Sequence, residues 1–343
     1  MIAGIVGAIV MGPGMGKWTA DEANKWQAKQ PWVVGANFLP SSAINQLEMW
    51  QAESWDPATI DRELGWAEGI GMNTVRVYLH DLAYQADPKG FKKRMSSFLQ
   101  IASKHKIRPL FVFFDDCWNP NPTIGTQPAP TKGVHNSGWV RSPGDSARAE
   151  SEFPRLKVYV QDILRTFNKD KRVYLWDLYN EPGNSGYELK SVPLLNAVFD
   201  WAQEVRPMQP LSVGVWYGNE TLNKIQLDRS DVVTFHNYND AASLSGQIAS
   251  LKALGRPVVC TEWMARTNNS RVLTHLALFK EAGVAAINWG LVSGKSNTIF
   301  PWGSKEGGEE PKVWFHDLFR QDGTPFDAAE IAEFRRVTGR IYK

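Results

Sequence analysis

The chain has 343 residues, 43% hydrophobic and 22% charged, and its 38 Lys and Arg nearly balance its 36 Asp and Glu. That balance, with no long run of one sign, excludes the clustered basic surface that a nucleic acid or an acidic membrane would require. Two Cys exclude a disulfide-stapled scaffold.

The first apolar run, Ile2 to Met11, is too short to span a bilayer. It resembles the hydrophobic stretch of an export signal, but no basic residue precedes it and no clear small-x-small cleavage site follows. Two readings stand: a trimmed or degenerate signal, or a strand or tail packed on the body. Gly12 to Thr19 is excluded as a phosphate loop, because Met11 stands where the Walker pattern needs Gly and Trp18 follows Lys17 in place of Ser or Thr. The same segment lacks the flanking strand and helix of a dinucleotide fold. Residues 1–30 are therefore expected to form an apolar tail and a helix.

Beyond residue 20 no linker, repeat or low-complexity block marks a second domain. Eight apolar or β-branched runs follow: Val33 to Phe38, Thr74 to Leu79, Pro109 to Phe114, Val173 to Leu178, Leu211 to Val215, Val232 to Phe235, Pro257 to Thr261 and Ala285 to Leu291. Helical patterns separate them over Pro57 to Gly69, Gly90 to Lys104, Glu150 to Asn168, Val192 to Val205, Ala242 to Leu254 and Ser270 to Ala282. Eight β-then-α units predict an α/β fold, a single-domain (β/α)8 TIM barrel over 31–343 with a C-terminal helix. The segment 115–148, rich in Pro, Gly, Asn and Trp, is expected to be a long loop over the rim.

A barrel places its chemistry just after its strands. The residues there are Arg76, His80-Asp81, Asp115-Asp116, Asn180-Glu181, Trp216, His236 to Tyr238, Glu262-Trp263 and Trp289. Glu181 and Glu262 end the fourth and seventh runs, so they face each other across the mouth. Two carboxylates about 5 Å apart are the layout for double-displacement glycoside hydrolysis. Fifteen Trp point the same way, since sugars stack on flat amphipathic rings.

The series Asn180-Glu181-Pro182, His236-Asn237-Tyr238, Glu262-Trp263 and Trp289, in this order on successive strands, resembles glycoside hydrolase clan A, most closely the cellulase-like family 5, over about residues 33 to 295. The resemblance implies a retaining mechanism with Glu181 as acid/base and Glu262 as nucleophile. It implies that Arg76 hydrogen-bonds the nucleophile and that Asn180 holds the sugar 2-hydroxyl. His236 and Tyr238 would support the acid and the nucleophile respectively, and Trp289 would floor the reacting subsite. One departure stands out. Family members usually carry a His after strand three, where this chain has Asp115-Asp116-Cys117-Trp118. Asp115 or Asp116 is expected to take a sugar hydroxyl instead, and His80-Asp81 is either a rim contact or a solvated turn. Trp118, Trp139, Trp216, Trp263 and Trp302 are candidate stacking platforms, about half of them expected to be packing residues.

Rival readings are weaker. Six His include no His-x-His or His-Glu-x-x-His spacing, so no metal is expected. No Gly-x-Ser-x-Gly elbow is present, and no nucleotide cofactor is implied. A carbohydrate-binding barrel that has lost catalysis would lack one of the two Glu. The expectation is a monomeric, secreted or periplasmic glycosidase acting on β-linked glucan, mannan or xylan, with endo and exo action both open. The insertion Ser293 to Lys312 and the 115–148 loop could close one end of the cleft.

Overall fold

The computed structural model describes residues 16–340, so the apolar run Ile2 to Met11 and most of the glycine turn lie outside the described residues. Eight parallel strands, β1 (Val34–Asn37), β2 (Thr74–Tyr78), β3 (Leu110–Asp115), β4 (Leu175–Asn180), β5 (Leu211–Ser212), β6 (Val233–His236), β7 (Val258–Glu262) and β8 (Ala285–Asn288), form the barrel. Pairing runs β5-β4-β3-β2-β1-β8-β7-β6. The seam between β5 and β6 is carried by Val215, whose N–H donates to Thr234 and whose carbonyl accepts from His236, both at 3.0 Å. Every strand residue is buried, the condition that makes these strands read as largely apolar runs, broken by a charged residue in mid-strand only at the buried Arg76 of β2 and Asp177 of β4.

Helices occupy the expected intervals. Those at Pro57–Gly69 and Val192–Val205 open on a proline in the first turn, whose missing N–H has no partner to lose there. The run Leu211 to Val215 supplies only a two-residue strand, because Gly214 and the turn after it leave the ladder early. Helix Glu220–Arg229 is not visible as a sequence pattern because it buries only Leu222 and Gln226. Helix Asp81–Ala86 is likewise unannounced. His80 caps it, accepting from the Leu82 N–H at 3.2 Å.

The floor of the barrel is closed by helix Ala20–Gln27, which starts with a capping box between Thr19 and Glu22. Trp26 packs on Tyr174 at 5.2 Å between centroids, the Trp18 N–H donates to Asp231, and Asn24 donates to the Gly255 carbonyl. All three partners precede strands, so this helix lies at the N-terminal end of the barrel. The expected C-terminal helix is Ala328–Thr338. Among the described residues no helix is long and apolar enough to cross a membrane.

Candidate active site

At the other end of the barrel a cavity of about 440 Å³ opens over the strand ends. Glu262 closes β7, and three donors converge on its carboxylate. Arg76 Nη1 reaches Oε1 at 2.6 Å, the Tyr78 hydroxyl reaches Oε1 at 2.9 Å and the Tyr238 hydroxyl reaches Oε2 at 2.7 Å. Arg76 is wholly buried and also donates to Asp177, Asn180 and Asn37, so one guanidinium ties β1, β2, β4 and β7 together beneath the mouth. Burial alone would lower its affinity for a proton, but Tyr78, Asp177 and Glu262 outweigh this and keep it well above the ordinary arginine range.

Glu181 follows β4 with a φ of +45°, a left-handed conformation that costs a non-glycine residue about 1–3 kcal/mol. The strain turns its side chain into the cavity. Its Oε1 meets His236 Nδ1 at 2.8 Å, and its Oε2 accepts from the Cys117 thiol at 3.3 Å and from Asn184. Burial pushes the Glu181 carboxyl up, but His236, Cys117 and Asn184 prevail and hold it below the ordinary range. Burial and the neighbouring carboxylates of Asp115 and Glu181 push the Cys117 thiol well above its ordinary value, so it remains a donor.

Glu181, His236 and Glu262 each bring one atom within 4.8 Å of the others. Among the described residues this is the one group spaced to grip a cation, but its atoms are already engaged and the Arg76 guanidinium sits against Glu262. Trp289, half-buried, lines the cavity beside Tyr78, with centroids 5.9 Å apart.

Of the residues singled out from sequence, Glu181, Glu262, Asn180, His236, Tyr238, Trp118, Trp139, Trp216, Trp289 and Trp302 line this cavity. Three readings need correction. Asp115 is buried beneath the wall, accepting from Trp139 Nε1 at 2.7 Å and Asn180 Nδ2 at 2.9 Å, so its oxygens orient those side chains and do not face a sugar. Burial pushes its carboxyl up to about 7. Asp116 is buried further back, where the Gly183 N–H, Ser191, Tyr179 and Arg148 surround it; it anchors the loop that carries Glu181. Trp263 is fully buried behind β7, stacked on His275 at 5.9 Å and packed on Phe279, and is no platform. Arg76 hydrogen-bonds Glu262 as the resemblance implies, and it sits behind that carboxylate, outside the cavity lining. His80 and Asp81 are neither rim contacts nor a solvated turn: both are fully buried, bonded to the Arg141 carbonyl and to Ser142 and Arg155.

Sequence reasoning passed over Tyr78, which the Arg76-x-Tyr78 alternation of β2 could have placed on the same inward face. It also gave Cys117 no role, and it did not single out His135 or His316, which line the cavity from two loops remote in sequence.

Residues 67–295 match the model of the family described as cellulase (glycosyl hydrolase family 5). No curated protein sequence matches the chain. Among solved structures, an endo-β-1,4-mannanase from Thermotoga petrophila is 15% identical, with 93% of this chain and 79% of that one covered at a TM-score of 0.61. An exo-β-1,4-mannosidase from Opitutaceae bacterium strain TAV5 is 18% identical, with 90% of this chain and 60% of that one covered at 0.62. A broad-specificity endoglucanase from Clostridium longisporum is 12% identical, with 94% and 99% covered at 0.60. At these identities the likeness is one of fold.

Proposed function

Because the chain belongs to glycosyl hydrolase family 5, and is a glycoside hydrolase, we propose that it cleaves β-linked glycans with retention of configuration, using Glu262 as nucleophile and Glu181 as acid/base. The observation that carries this reading is the closeness of the two carboxylates, with oxygens within 4.8 Å across the cavity. Retaining enzymes hold theirs at about 5–5.5 Å, and inverting enzymes leave room for a water between them.

The Glu262 carboxylate attacks C1 from one face of the sugar while Glu181 protonates the departing oxygen on the other. Water then enters, Glu181 takes its proton, and the hydroxide displaces Glu262 from C1. The resting hydrogen bonds of Glu181 favour its carboxylate, so the seated sugar must tip the balance. By expelling water from the Glu181 face it strengthens burial, the influence that raises this group. Asn180, fixed between Arg76 and Asp115, presents its amide to the 2-hydroxyl, a contact that strengthens as positive charge develops on the ring.

The solved structures of like fold carry mannanase, mannosidase and endoglucanase names, and β-mannan, β-glucan or xylan type substrates accord with this reading. A polymeric substrate goes with a secreted or envelope-associated monomer. Proton NMR of the first sugar released from an aryl β-glycoside tests the mechanism: the β-anomer must appear first, and initial α-anomer would overturn it.

Two variants test the acid. Glu181→Ala should lower kcat/KM by about 10²–10⁴-fold on glycosides with poor leaving groups and far less on dinitrophenyl glycosides; equal losses on both would contradict the assignment. Cys117→Ala removes a donor to the Glu181 carboxylate, so the Glu181 pKa rises and the alkaline limb of the kcat/KM profile moves to higher pH. Cys117→Ser, which keeps a donor, should restore the limb, and a limb unmoved in the alanine variant would exclude any influence of the thiol on the acid.

A further inference from the structure

The two ends of the cavity are built differently. On the Glu181 side, where the leaving group must lie, the lining is Asn184, the exposed Ser185 and Trp216, whose Nε1 donates to the Pro182 carbonyl at 3.2 Å. On the Glu262 side, two long loops are knitted together. The Asn136 N–H donates to the Ser296 carbonyl at 2.9 Å, the Gly307 N–H to Lys132 at 2.9 Å, and Asn297 Nδ2 to Thr131 at 2.8 Å, while Lys132 pairs with Glu309 at 2.7 Å. Gly133 makes this possible. It has a φ of +82°, and a Cβ there would come within 2.6 Å of the Gly308 nitrogen.

The knitted loops carry an unbroken series of rings across the mouth. Trp118 meets His135 at 5.6 Å, His135 meets Trp302 at 6.4 Å, and Trp302 meets Tyr238 at 5.0 Å. Tyr238 is the residue bonded to Glu262, so this fence stands around the sugar that would be joined to Glu262. Inside it, His316 contacts Trp289 and Tyr238 and is fully buried. Its Nδ1 faces the Met264 carbonyl and must carry the proton, whereas its buried Nε2 has no partner among the described residues, and the residue borders the cavity. Burial and the adjacent His135 hold His316 well below its ordinary value, so Nε2 is a lone-pair acceptor. His135 has the same tautomer, though its Nε2 is not an orphaned buried atom. Its Nδ1 donates to the Phe300 carbonyl at 2.7 Å, and burial lowers it to about 4, which leaves its Nε2 as an acceptor too. A buried acceptor without a donor is costly, and sugar hydroxyls are donors.

We propose that the fence makes the enzyme exo-acting: it admits only the terminal, non-reducing sugar of a β-linked oligosaccharide beside Glu262, and Nε2 of His316 and His135 accept hydrogen bonds from that sugar's hydroxyls remote from the scissile bond. This rests on the roles given above to Glu181 and Glu262. Each turnover consumes one water, breaks one C1–O bond and releases one monosaccharide and a chain one sugar shorter.

The test uses β-1,4-linked pentaoses of mannose, glucose and xylose, free or carrying a blocking acetal on the non-reducing sugar, beside the aryl β-monoglycosides. Monosaccharide as the sole early product, from the free pentaose only, is the expected result. Internal cleavage of a blocked pentaose would overturn the proposal while leaving the retaining mechanism intact. Failure to cleave both pentaoses and aryl glycosides would instead bring down the glycosidase reading and this one with it. On the aryl glycoside that is cleaved, His316→Ala should raise KM more than it lowers kcat and cost about 10-fold in kcat/KM. His316→Gln, which keeps an acceptor near Nε2, should recover part of that loss. Removing single hydroxyls from the glycoside identifies the partner: one deoxy position should cost the wild type about 10-fold and the alanine variant nothing. His135→Phe preserves the ring fence and provides the same comparison should the His316 variant fold poorly. Equal hydroxyl costs in wild type and both variants would overturn the histidine contacts.

Discussion

Glu262→Ala is expected to lower kcat on an activated aryl β-glycoside by about 10⁴-fold or more, the scale on which enzymes lose activity when their nucleophile is removed. The protein should stay folded, because the carboxylate leaves behind three donors that water entering from the cavity can satisfy: Arg76, Tyr78 and Tyr238. Azide fits the space vacated by the carboxylate, and its charge finds the same donors. Added azide should therefore restore turnover and yield the α-glycosyl azide, since a single displacement inverts the anomeric carbon. Product analysis by NMR and mass spectrometry reads both outcomes. Turnover retained in the variant without azide would reject Glu262 as nucleophile.

Arg76→Met is expected to be the most damaging single change to the scaffold. It strips Asp177 and Glu262 of their shared cation, and Asp177 has no access to solvent. Removing one partner of a buried ion pair costs about 3–5 kcal/mol, chiefly because the other charge is left unpaired. Urea denaturation should show a lowered midpoint with an unchanged slope. Arg76→Lys should recover little of the loss, for an ammonium cannot reach Asp177, Glu262, Asn180 and Asn37 from one position. A midpoint within experimental error of the wild type would show that the network carries no stability.

Much of the barrel could be read from the chain because a parallel strand buried on both faces leaves an uninterrupted apolar run, as at Leu110 to Phe114. The polar residue that ends each run is then forced to the mouth, which is why Glu181, His236, Tyr238 and Glu262 were legible as a set. What strand position does not encode is how far a side chain is covered by distant loops. Asp115 and Asp116 occupy rim positions, but Trp139 and Arg148, both from the long loop after β3, lie over or against them and turn them inward. Trp263 shares a strand end with Glu262 and falls on the opposite face, where helix Val272–Glu281 covers it. His135 and His316 were invisible because nothing local joins them; they meet only when the loops after β3 and β8 knit together. The short β5 and the weakly amphipathic helix after it were blurred for a simpler reason, since few of their residues are pinned by the core.

The helix Ala20–Gln27 gives the molecule a polarity with a practical consequence. Its contacts with Tyr174 and Gly255, and that of Trp18 just ahead of it with Asp231, fix the point where the described chain enters at the pole of the barrel opposite the mouth. Anything joined ahead of residue 16, whether a tether, a carrier domain or a solid support, would hold the enzyme by its base. An immobilised preparation coupled at that end should therefore keep the KM of the free enzyme for soluble oligosaccharides, with the mouth facing the medium.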